Sequence, residues 1–122
     1  MSQNKPIILL DPYPRTMELL FSKENLRYLK KNFKLITAPN KNKNNFYEKN
    51  LPKADYIFGQ PNLPSSLISK STKLKAIFNV ESNFMDNMDY DYCFRKGIHV
   101  LATSPVFAQP VAEMAMGLTL SI

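Results

Sequence analysis

Glycine is scarce in this chain. Its 122 residues include only Gly59, Gly97 and Gly117, too few and too far apart for the glycine-rich loop that cradles the phosphates of a dinucleotide or a nucleoside triphosphate. Cysteine is scarcer still. Cys93 stands alone, which excludes an internal disulfide framework and a multi-cysteine metal site. Arginine is limited to Arg15, Arg27 and Arg95, so the formal net charge of +6 rests on scattered lysines. Arginine is the preferred reader of phosphates and base edges, and its shortage argues against a nucleic-acid surface. Long apolar runs are missing as well. The apolar run at residues 7–10 ends at Asp11, which is too short for a signal peptide, and no run approaches the length needed to cross a bilayer. These absences lead to the expectation of a cytoplasmic chain with no nucleic-acid partner and no membrane partner.

What is present is enough for one domain with a real core, since 44% of the residues are hydrophobic. Short apolar runs at residues 6–10, 34–38, 54–59, 74–80 and 98–101 read as buried parallel strands. Between them lie helical segments: a turn at 17–20 capped by Thr16, a helix at 23–33 capped by Ser22, a turn at 46–50, a short helix after Ser65, and a helix capped by Asp89 and stopped by Gly97. In the last of these Tyr90, Cys93 and Phe94 point inward. The run from Asn40 to Asn45 reads as a polar surface loop. Regular alternation of strand and helix predicts an α/β fold: a flavodoxin-like, doubly wound, parallel five-stranded sheet with helices on both faces.

The closing stretch differs from the rest. A helix is predicted from Pro110, a proline placed where a first turn tolerates one, with Glu113 near its positive end. The nine residues after Glu113 carry no charge, and apolar groups point in every direction. A helix apolar all round needs partners on all sides, so this one is expected to run toward further structure.

Ligands of open parallel sheets sit outside the carboxyl ends of the strands. The candidate segments are residues 11–15, 59–62, 81–86 and 103–107. A phospho-acceptor receiver is excluded, because strand one supplies Asp11 alone, strand three ends in Gly59, and strand five ends in Ala102 and Thr103. A flavin phosphate loop is excluded too, because Asp11-Pro-Tyr-Pro-Arg-Thr16 lacks the hydroxyl- and glycine-rich composition. Arg15 reads as a surface arginine and Glu81 as an exposed carboxylate at a strand end. His99 lies inside a strand, away from the carboxyl-end loops, and Cys93 reads as a buried thiol rather than a nucleophile.

Five short motifs then follow in order. Leu74-Lys-Ala-Ile-Phe-Asn-Val leads through a loop to Asp86-Asn-Met-Asp89. Next come Phe94-Arg-Lys-Gly-Ile-His-Val100, Thr103-Ser-Pro105, and Val111-Ala-Glu113 opening the apolar helix. This succession resembles the D-isomer-specific 2-hydroxyacid dehydrogenases, relatives of phosphoglycerate and formate dehydrogenases, over residues 74–122. The resemblance implies a substrate-binding domain at 1–108 and the start of an interdomain connecting helix at 109–122. It also implies a nucleotide-binding domain that is absent from the chain, so that the chain alone is inactive and contains no catalytic residue. The cofactor implied is NAD or NADP, the substrate a small 2-hydroxy or 2-keto acid, and the assembly of the full-length enzyme a homodimer. Ser82, Asn83 and Phe84 align with the loop whose backbone N–H groups hold the substrate carboxylate. Phe107 would border the substrate and Val111 the nicotinamide. The loop is usually glycine-rich in the family, and Glu-Ser-Asn-Phe-Met here departs from that. The alternative reading is a stand-alone flavodoxin-like binding or interaction module.

Overall fold

A computed structural model describes residues 4–122. Strands β1 (Ile7–Asp11), β2 (Lys34–Thr37), β3 (Tyr56–Gly59), β4 (Ala76–Phe78) and β5 (His99–Leu101) form one sheet. Every pairing is parallel and the order is β2-β1-β3-β4-β5, the flavodoxin-like order. The helices are α1 (Met17–Leu20), α2 (Lys23–Asn32), α3 (Lys43–Asn50), α4 (Ser65–Ile68), α5 (Tyr90–Arg95) and α6 (Ser104–Leu120), with a 3-10 turn at Leu51–Lys53 after α3. The expected α/β sheet is therefore observed.

The register explains how the strands find a core. Ile36, Leu9, Ile57, Ile77 and Val100 lie side by side across all five strands. Because side chains alternate along a strand, this row projects to one face. There it meets Tyr47 of α3, Leu67 and Ile68 of α4, and Cys93 of α5, in the main core. The neighbouring row, Leu10, Phe58, Phe78 and Leu101, projects to the opposite face. Helices α1 and α2 cover part of it. Met17, Phe21, Leu29 and Phe33 face Ile8, Leu10, Tyr56 and Phe58 across an apolar groove of about 440 Å³, and the Phe21 and Phe58 rings sit 5.1 Å apart. Toward β4 and β5 this face is open, with Phe78 36% and Leu101 47% exposed.

Local chemistry sets the helix ends. Ser22 Oγ accepts from the Asn25 amide at 3.2 Å, and Asp89 Oδ1 accepts from the Tyr92 amide at 2.9 Å, so both caps act as their residue types predict. Gly97 ends α5 at φ 72°, the left-handed conformation glycine allows.

Three expectations are corrected. Helix α3 begins at Lys43, inside the stretch read as a loop. Asn42 takes the left-handed conformation (φ 58°), and the helix then buries Tyr47 and Asn50 while Asn44, Asn45 and Lys49 stay in water. Phe94 points outward and is exposed, leaving Cys93 as the buried residue of α5. The closing helix starts at Ser104, so a boundary at 108/109 would fall inside one continuous helix. Pro105 is the proline of the first turn and Pro110 lies in the interior. Pro110 has no N–H for the Val106 carbonyl, and the exposure of this helix leaves that carbonyl to water. No residue of α6 is buried.

Asp55 joins the amino ends of two strands. Its Oδ2 accepts from the Ile7 amide at 2.9 Å and from Lys73 Nζ at 3.1 Å. Burial of the carboxyl acts upward on its pKa, but the Ile7 bond and Lys73 outweigh it and hold the group below its ordinary value of 3.8. A carboxyl depressed on folding adds stability that is present above its unfolded value and is lost as pH falls through the folded one. The urea midpoint is thus expected to be flat down to about pH 5 and to drop below about pH 4. In Asp55→Asn that drop should be visibly shallower. An equal drop in both proteins would remove Asp55 from the acid response.

Candidate functional site

The loops that leave the carboxyl ends of β1, β3 and β4 are tied together by side chains. Gln60, directly after β3, is the central tie. Its Oε1 accepts from the Glu81 amide at 2.9 Å, and its Nε2 donates to the Asn83 carbonyl at 3.2 Å. From the β1 side, Arg15 reaches Glu81 through Nε at 3.2 Å and through its terminal nitrogen at 3.5 Å. The far end of the β4 loop is fixed as firmly. Asn87 Nδ2 donates to the Pro61 carbonyl at 2.8 Å, and Leu63 N–H donates to the Asn87 carbonyl at 2.7 Å. The Tyr90 hydroxyl donates to the Met85 carbonyl at 2.5 Å and lies 3.0 Å from Asn87 Oδ1. Burial, and then the nearby Asp86 and Cys93, raise the Tyr90 pKa over the opposing effect of the Met85 bond, so the phenol keeps its proton. The Phe84 ring packs edge-on against Tyr90 at 5.4 Å.

Between these ties Ser82, Asn83 and Phe84 are exposed. Among the described residues, the N–H groups of Ser82, Asn83 and Phe84 donate to no protein acceptor. Backbone N–H groups without a protein acceptor can donate to an oxyanion without giving up an internal hydrogen bond. The bulky residues of the loop are compatible with this, since its shape comes from the Gln60, Asn87 and Tyr90 hydrogen bonds rather than from glycine.

The other expected site residues sit on α6. Phe107 and Val111 are four apart, on one side of the helix, and both are exposed. β5 lies beside β4 in the sheet, so the helix leaves the same edge as the loop from a strand about 5 Å away. The fold thus brings Ser82, Asn83 and Phe84 into one segment, with Phe107 and Val111 on a neighbouring but separate element.

Two features of this edge were not foreseen from sequence. Asp11, which ends β1, is only 5% exposed. Its carboxylate accepts from Lys43 Nζ at 2.6 Å and from the Tyr47 hydroxyl at 3.0 Å, while Lys43 also lies over the Tyr13 ring. Burial, and then the Asp11 charge, push the Tyr47 phenol far up, so it stays a donor. Asn79, at the root of the loop, is 2% exposed, and its side-chain amide is unpaired among the described residues. It contributes polar lining to a mostly apolar cavity of about 270 Å³ between Phe21, Phe58, Leu101 and Thr103. Asp11 belongs to no motif, and Asn79 stands inside the Leu74–Val80 motif without a role assigned to it. A polar residue ending an apolar strand was the one available signal for both.

Cys93 is buried, and burial followed by the Asp89 charge raises its thiol pKa. His99 is exposed on the edge strand. Among the described residues no group of three or more His, Cys, Asp or Glu could hold a metal ion, and no helix is long and apolar enough to cross a membrane. The glycines form no phosphate cradle. Gly59 is pressed against the Asp11 carbonyl, Gly97 ends a helix and Gly117 lies within α6, so none of them stands in a phosphate-binding turn.

Residues 12–120 match the family described as D-isomer specific 2-hydroxyacid dehydrogenase, catalytic domain. Among solved structures, a phosphoglycerate oxidoreductase from Rhizobium etli is 38% identical over 96% of this chain and 36% of that one, with a TM-score of 0.81. A 3-phosphoglycerate dehydrogenase from Entamoeba histolytica with bound NAD+ is 16% identical over 94% of this chain and 38% of that one, with a TM-score of 0.64. A D-lactate dehydrogenase from Aquifex aeolicus, complexed with NAD and lactic acid, is 24% identical over 94% of this chain and 33% of that one, with a TM-score of 0.54. The last two likenesses concern the fold alone. The chain spans about a third of the length of the structures it matches. No curated protein matches it.

Proposed function

The chain belongs to the D-isomer specific 2-hydroxyacid dehydrogenase family, and from that premise we propose that it forms the substrate-holding wall of an oxidoreductase. The reaction proposed is hydride transfer between a nicotinamide cofactor, NAD or NADP, and C2 of a D-2-hydroxy or 2-keto acid. The observation that supports this reading is the braced loop with the free N–H groups of Ser82, Asn83 and Phe84. A carboxylate accepting these bonds would have its α-carbon held at the edge of the sheet, with Phe107 limiting the space for the substrate side chain and Val111 bordering the nicotinamide.

In this reading the chain binds and orients, and it moves no proton. Residues 4–103 carry the sheet and the substrate loop, and α6 is the connection toward a nucleotide-binding domain. A helix exposed and apolar on all sides needs more than one covering surface. That supports both a second domain and the homodimer proposed for the whole protein.

A chimera tests the function. Residues 1–122 would replace the matched 36% of the R. etli oxidoreductase, and NADH absorbance would be followed with pyruvate as substrate. Consumption of NADH is the expected result. A folded chimera that binds NADH yet leaves a panel of 2-keto acids unreduced would overturn the proposal.

A further inference from the structure

The chain has a net charge of +6 and 16 lysines and arginines, yet the segments that frame the loop contain none of them. Residues 60–64, 79–89 and 102–111 carry no lysine or arginine, and they carry Glu81, Asp86 and Asp89. One cation, Arg15, reaches this frame from the β1 side, and Glu81 engages it through two nitrogens at 3.2 and 3.5 Å. Lys43 is held at 2.6 Å by the buried Asp11 carboxylate. Lys41 follows β2, three strands from β4 in the sheet, a separation of about 14 Å that exceeds the screening length of physiological salt. What the frame exposes instead is apolar: Phe84 and Met85 in the loop, and Val106, Phe107 and Val111 on α6.

We propose that this site takes 2-hydroxy or 2-keto acids whose single anionic group is the carboxylate and whose remaining skeleton is apolar, and that it discriminates against phosphorylated and dicarboxylic acids. The inference rests on the carboxylate-loop reading above and adds the substrate class. Backbone N–H groups satisfy one carboxylate without any full positive charge. A second anionic group would meet acidic side chains and apolar surface, and like charges brought together disfavour the wrong ligand. The class inferred here differs from the phosphate-bearing substrate named for the R. etli relative.

Ligand-observed saturation-transfer NMR on the 122-residue chain tests this, with 4-methyl-2-oxopentanoate and 3-phosphoglycerate at equal ionic strength. The keto acid is expected to bind at least about 10-fold more tightly, the discrimination that like-charge juxtaposition supplies. In Glu81→Gln, which frees Arg15, the gap is expected to narrow by about 3-fold or more. Equal binding, or tighter binding of 3-phosphoglycerate, would overturn the substrate class while leaving the loop reading intact. Binding of neither acid would overturn the loop reading itself. An unchanged gap in Glu81→Gln would overturn charge as its cause.

Discussion

Replacing Gly59 by alanine is expected to remove a large share of the stability of the chain. Gly59 ends β3 at φ +149° and pairs with Asp11 of β1. A Cβ built on it would lie 2.1 Å from the Asp11 carbonyl oxygen and 2.7 Å from the carbonyl carbon, both backbone atoms. No rotamer relieves such a contact, and the backbone angle is one that L side chains rarely adopt. The carboxyl ends of β1 and β3 would have to separate. That shift would carry away Gln60, which braces the β4 loop at Glu81 and Asn83. We expect a loss of at least about 4 kcal/mol, against a total stability for a domain of this size of about 5–15 kcal/mol. Urea unfolding followed by circular dichroism measures it. A loss below about 1 kcal/mol would mean that the close approach relaxes freely, contrary to the tight packing argued here.

The second large effect is expected at Asp11. In Asp11→Ala the buried Tyr47 hydroxyl loses its acceptor and Lys43 loses its counter-ion. Removing one member of a buried pair is more damaging than the pair is stabilising. Lys43 is 34% exposed, so water moderates the loss, and we expect about 3 kcal/mol. Tyr47→Phe removes one hydrogen bond and is expected to lose about 1 kcal/mol. In the double variant the losses should fall short of their sum, because the orphaned hydroxyl has gone. Strict additivity would show that the Asp11–Tyr47 bond contributes nothing.

The fold was largely legible in the chain because its strands are short apolar runs separated by recognisable caps. Ser22, Asp89 and Gly97 act as their residue types predict. Misreadings came where two residues could fill one local role. Pro105 and Pro110 both suit a first turn, and what decides between them is that the chain already turns helical at Ser104. The Asn and Lys residues before Phe46 read as a loop because their solvent-facing role does not depend on backbone conformation, and the burial of Tyr47 and Asn50 decides for a helix. The site was legible in part. A family resemblance pointed to Ser82, Asn83 and Phe84. The side chains that shape their loop come from distant parts of the chain, 21 and 23 residues away for Gln60 and 66 for Arg15. No local pattern reports such pairs. Asp11 and Gly59 become significant only once β1 and β3 lie side by side.

Whether the braced loop offers its backbone donors to a carboxylate is decided by amide-resolved NMR of the chain during titration with pyruvate. Saturable shifts are expected, largest at the Ser82, Asn83 and Phe84 amides, with Glu81, whose amide is already bonded to Gln60, moving less. Saturable shifts centred elsewhere, with those three amides unmoved, would contradict it.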